Sequence, residues 1–168
     1  MMTRQARESY VPQIHTAPAL RNYPANSPQA KARIIILALL ADGRLDKAEL
    51  EGLERRDVYA KVGLGREDFV SVLVDFCSDV ARLPNSRGNY LLSPSTIDRL
   101  MAEIDLPQER KSLMRLIFDV ICSDGTLAEG EERLFWNAID AWNLRISDMS
   151  PWERAPRQHS ERPEHYYG

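Results

Sequence analysis

The sequence predicts an all-α fold, a compact bundle of about six helices with an internal pseudo-two-fold repeat of a helical hairpin. Three observations carry that expectation. Between positions 28 and 144 apolar residues recur at helical spacing, and no alternating run marks a strand. Ser-Pro and Asp-Gly pairs punctuate the apolar segments. The stretch ADGRLDKAELEGL, from Ala41, returns in register as SDGTLAEGEERLF, from Ser123. Both copies keep Asp-Gly, then Leu two residues after the Gly, then Glu seven residues after the Asp.

Ser27-Pro28 reads as a helix start, because Ser can cap and Pro suits the first turn. Ala32, Ile35, Ile36, Leu39 and Leu40 form its stripe, and Ile34 and Leu37 widen it until the helix is apolar nearly all round. Such a helix belongs at the centre of a bundle. Asp42-Gly43 stops it. A second helix starts at Asp46, with Glu49 three residues on in the manner of a capping box, and runs to about Ala60. Val62-Gly63-Leu64-Gly65 ends it, and a third helix buries Phe69, Val72, Leu73, Phe76 and Val80.

Residues 84–94 read as a connector. Ser93-Pro94 then opens a short helix carrying Ile97, Leu100, Met101 and Ile104. Pro107 opens the next, with Leu113, Leu116, Ile117, Val120 and Ile121 buried. After Asp124-Gly125 comes a last helix with Leu134, Phe135, Ala138, Ile139 and Trp142 inward. The repeat maps Ile34, Ile35, Ala38 and Leu39 onto Leu116, Ile117, Val120 and Ile121. Neither hairpin can bury its apolar helix alone, so the two are expected to shelter each other.

Residues 1–27 and 145–168 each hold three prolines and no periodicity, and are expected to be a disordered N-terminal tail and a flexible C-terminal tail. Trp152 is the tail residue with most to gain from docking. The net charge of −3 advertises no nucleic-acid field. The longest apolar run, Ile34–Ala41, is too short to span a membrane, and the first residues lack a secretory apolar core. Cys77 and Cys122 lie in apolar helical patterns away from metal-ligand spacing, so two buried reduced thiols are expected, and a cytoplasmic location with them.

The acids of the repeat have two readings. Asp42, Asp46 and Glu49 cluster at the first turn, and Asp124 and Glu131 repeat the outer pair. Carboxylates near a helix N-terminus satisfy orphan N–H groups and complement the helix dipole, by about 0.3–1 kcal/mol each. Capping alone therefore accounts for the spacing. If both turns lie at one end of the bundle, four or more carboxylates converge and invite a cation. Oxygen-only ligands suit Ca²⁺ or Mg²⁺. The spacing does not fit an EF-hand loop, which needs acids at positions 1, 3 and 5 and Gly at 6.

The stretches LLADGRLDKAEL and ICSDGTLAEGEERLF together resemble the TerB-like superfamily, over roughly residues 28–144. That group includes tellurite-resistance proteins and a domain of certain membrane-anchored DnaJ-like cochaperones. The resemblance implies an all-helical domain with an internal repeat, and a role in bacterial stress responses. It also implies that Asp42, Glu49, Asp124 and Glu131 match recurring acids proposed to form a metal-related site. This chain departs from symmetry at Ala128, opposite Asp46, and at Gly130, which should weaken the last helix by about 1 kcal/mol relative to Ala.

All three histidines lie in the tails, so the predicted core lacks the usual general base. No glycine-rich phosphate loop or Cys-x-x-Cys is present. The expectation is a non-enzyme: a domain that binds or senses a divalent ion, or a protein–protein interaction module whose acids only cap helices. A protein partner is expected, without nucleic acid or membrane insertion.

Overall fold

Ser27 and Pro28 start the first helix as their chemistry dictates. The Ser27 hydroxyl accepts from the Ala30 N–H at 3.1 Å, and Pro28 occupies the first turn. The same device recurs at Ser93-Pro94, where Ser93 accepts from the Thr96 N–H. The computed structural model describes residues 20–41, 45, 47–83, 92–122, 129–145 and 147. Among these are seven helices and no strand: α1 (Pro28–Leu39), α2 (Lys47–Arg55), α3 (Val58–Val62), α4 (Arg66–Ala81), α5 (Pro94–Ala102), α6 (Pro107–Ile121) and α7 (Glu129–Trp142).

The apolar girth of α1 determines its place. Every residue from Ala32 to Leu40 is buried, and α1 packs against α3, α4, α5, α6 and α7. The faces expected of α4, α6 and α7 are the faces that turn inward, with Leu73 only partly buried. The repeat is visible in the helix limits. The ends of α1 and α6, Leu39 and Ile121, are 82 residues apart, and so are the starts of α2 and α7, Lys47 and Glu129. The two repeated apolar helices, α1 and α6, pack directly together. α7 is tied to α5 by the buried Trp142 indole, which donates to the Met101 carbonyl at 2.8 Å.

Three expectations change. The helix predicted from Asp46 to Ala60 is broken at Arg56-Asp57, where Asp57 adopts φ 54°. Aspartate tolerates this left-handed conformation better than most residues. The break lets a separate short helix, α3, seat Val58 and Val62 against α1. Gly63, at φ 86°, ends α3, with its N–H on Ala60 and that of Leu64 on Tyr59. The thiols also differ from expectation: Cys77 and Cys122 are half-buried rather than fully enclosed, and neither forms a disulfide.

The helical unit also starts before Pro28. Residues 20–27, assigned by the sequence to a tail, lie on the bundle as a strap. Leu20 is buried and Tyr23 packs on the core. Arg21 binds α4: its Nε and Nη2 meet the two oxygens of Asp79 at 2.8 and 3.0 Å, its backbone N–H meets Asp79 at 3.0 Å, and Nη1 pairs with Asp75 at 2.5 Å. Asn26, at φ 57°, accepts from the backbone N–H groups of Asp105 and Leu106 and donates its own N–H to Glu103. A carboxamide in the left-handed region thus satisfies the turn between α5 and α6. The reason the strap is held is charge and hydrogen bonding, which apolar periodicity does not report.

Asp79 is 3% exposed. Burial by itself would raise its pKa, but hydrogen bonds from the Arg21 side chain and backbone and from Arg82 hold it down to about 2, against an ordinary 3.8. The stabilisation from this carboxylate is complete above the ordinary value and is lost as pH falls from about 4 towards 2. On the order of 2 kcal/mol of stability should disappear across that window. Acid titration of the melting temperature checks this: Asp79→Asn should remove that acid limb, and the wild type should keep it.

Candidate functional site

The repeated glutamates occupy equivalent helical positions. Glu49 is the third residue of α2 and Glu131 the third of α7, a consequence of the two helix starts being in register. A cavity of about 270 Å³ brings them together. Buried Leu39 and Leu53 from the first hairpin and Val120 and Ile121 from the second form its apolar wall. Half-buried Glu49 and Glu131 line it from the two helix starts, and Ala48 and Gly52 leave the space between them open.

Two arginines near the C-terminal end of α2, Arg55 and Arg56, also line the cavity. Arg56 is drawn in by a bond from its Nη1 to the Gly52 carbonyl at 3.1 Å, one helical turn back. Arg55 is exposed, 3.9 Å from Glu51, which Lys47 also approaches at 3.4 Å. The cavity is thus lined by charges of both signs over an apolar wall. Only their placement at the C-terminal end of α2 could have flagged the arginines, and basic residues there have an ordinary role in complementing the helix dipole.

The close approach of α7 to α1 has an identifiable cause. A Cβ built on Gly130 would lie 2.1 Å from the Ala41 carbonyl oxygen. Only a residue without a side chain lets the start of α7 come this near the end of α1, and Glu131 is the next residue along. The glycine that looked like a weakness in the last helix is the contact that seats that helix.

Of the five acids expected to ligate a cation, Glu49 and Glu131 are brought to one cavity, while Asp42, Asp46 and Asp124 lie outside the described residues. Among the described residues there is no group of three or more His, Cys, Asp or Glu placed to hold a metal. Both glutamates have interactions within the fold. Two carboxylates match Mg²⁺, which keeps several waters and is commonly held by one or two carboxylates; Ca²⁺ takes six to eight oxygens and would need more. The donor chemistry therefore fits a hydrated hard ion, opposed by the neighbouring guanidinium groups. Among the described residues the charged groups of the lining are carboxylates and guanidinium groups, which suit charge recognition.

No protein-family model, no curated protein and no solved structure matches the chain.

Two glycine substitutions separate the packing from helix propensity. Gly130→Ala should lower stability by about 1–3 kcal/mol despite the better helix former, because backbone must move. In Gly52→Ala the new methyl group would meet only side-chain tips, Arg56 Nη1 at 3.0 Å and Arg55 Nη2 at 3.7 Å, which can swing away. That variant should be neutral or more stable by up to about 1 kcal/mol. Denaturant unfolding of both variants measures the contrast.

Proposed function

We propose that this chain is a non-catalytic helical module that binds or senses a divalent cation, Mg²⁺ in preference to Ca²⁺, through Glu49 and Glu131. The observation that supports this reading is the meeting of the two equivalent glutamates of the repeat in one cavity. Like charges drawn together are eased by a cation, and oxygen donors select a hard one. The resemblance to TerB-like domains supports a role in bacterial stress resistance, tellurite resistance included, and we propose a cytoplasmic location.

A second reading is a protein–protein interaction module in which the acids only cap helices. Two observations favour it. Both glutamates stand at the third position of their helices, where a carboxylate serves a capping box. Phe118 and Trp136 are also nearly half exposed, and they flank Phe135 at ring distances of 5.9 and 5.7 Å. A contiguous aromatic surface of this kind suits a partner.

Melting curves after exhaustive chelation, repeated with Mg²⁺ or Ca²⁺ restored, distinguish the two. A bound cation at a hundredfold excess over its Kd should add about 2.7 kcal/mol, and Glu49→Gln or Glu131→Gln should abolish that increment. If the acids only cap, the cations change nothing. Glutamine, which also serves a capping box, then leaves stability nearly unaltered under both conditions.

A further inference from the structure

The strap at residues 20–23 is bound as a peptide ligand is bound. It lies outside any helix, and side chains of the bundle satisfy both backbone polar groups of Arg21. Asp79 of α4 accepts its N–H at 3.0 Å, and Arg33 of α1 donates from Nη1 to its carbonyl oxygen at 2.5 Å. The guanidinium of Arg21 forms a forked pair with Asp79 and reaches Asp75 as well. Leu20 is buried, and the Tyr23 ring lies 4.6 Å from the Arg33 guanidinium carbon. Forked arginine–carboxylate pairs and cation–π stacking are specific in geometry, not merely adhesive.

Two members of the receiving surface also have partners outside the strap. Asp79 has a second partner in Arg82, at 2.5 Å. Arg33, 1% exposed among the buried apolar residues of α1, is paired with Glu103. Arg33 Nε is buried and, among the described residues, has no hydrogen-bond partner. A buried donor left unmade is unfavourable, so a ligand carrying one more acceptor at that point would be held better.

We infer that the surface formed by Asp75, Asp79 and Arg33 is a recognition site for an extended peptide of the pattern apolar–Arg–x–aromatic, occupied in cis by Leu20–Tyr23. The partner is an arginine-bearing segment of another protein, and the strap is its built-in competitor. Tethering gives the strap an effective concentration of roughly millimolar order, so a partner binds only when it outcompetes that value. The site is separate from the glutamate cavity, and its failure would leave the cation reading untouched.

The test uses the full chain and a fluorescent peptide, Leu-Arg-Asn-Tyr-Pro-Ala-Asn, copied from residues 20–26. Arg21→Ala weakens the strap and should let the peptide bind at least tenfold more tightly than to the wild type. Adding Asp79→Asn to that variant, or replacing the peptide's arginine by lysine, should remove most of the gain. Absence of peptide binding to a folded Arg21→Ala chain would overturn the proposal. Should that variant fail to fold, Tyr23→Ala takes its place, and amide hydrogen exchange on the wild type decides independently. The Arg21 amide should exchange through local opening, faster than the amides of α1. Exchange only through global unfolding would make the strap an integral part of the core and would refute the proposal.

Discussion

The structure depends on the burial of one helix. From Ala32 to Leu40 the first helix offers no face to water, so it requires cover on every side. Five helices answer that requirement: α3, α4, α5, α6 and α7, all later in the chain, pack against it. Gly130 matters because the last helix must come against the end of α1 at backbone distance. A wide apolar stripe is thus a constraint on five neighbours, not a property of one element.

That constraint also explains the charged residues inside. Arg33 is carried into the interior by the helix to which it belongs, and an unpaired buried charge would be severely unfavourable. Glu103, the Arg21 carbonyl and the Tyr23 ring surround it. Asp79 is placed comparably on α4, in the same stripe as Val72, Phe76 and Val80, and it is met by Arg21 and Arg82. The strap is where these two obligations are discharged together. Its order follows from polar groups that had to be satisfied once the core had formed.

Much of this was legible in advance, and the exceptions share a cause. The inward residues of α6 and α7 follow from period alone, and the caps at Ser27 and Ser93 follow from residue type. Asp57 was not read as a helix break, because an exposed aspartate in a helical pattern is ordinary until its backbone angle is known. Asp79 did carry a signal, since it interrupts an apolar stripe at helical spacing. Its partner, 58 residues away at Arg21, carried none. At the cavity, the repeat identified Glu49 and Glu131 as equivalent positions. Arg55 and Arg56 were not legible, because nothing local distinguishes a guanidinium that lines a cavity from one in solvent.

By itself the sequence determined the helical class, the duplicated hairpin, the centrality of α1 and most of the core. These are consequences of periodicity and capping, which act over one or two turns. Only the tertiary structure decided that the two glutamates share a cavity, that Gly130 is a point of contact, and that residues 20–27 belong to the bundle. Each of those depends on groups dozens of residues apart meeting at a particular distance. Such distances are set by the packing of whole helices, which no short stretch of residues encodes.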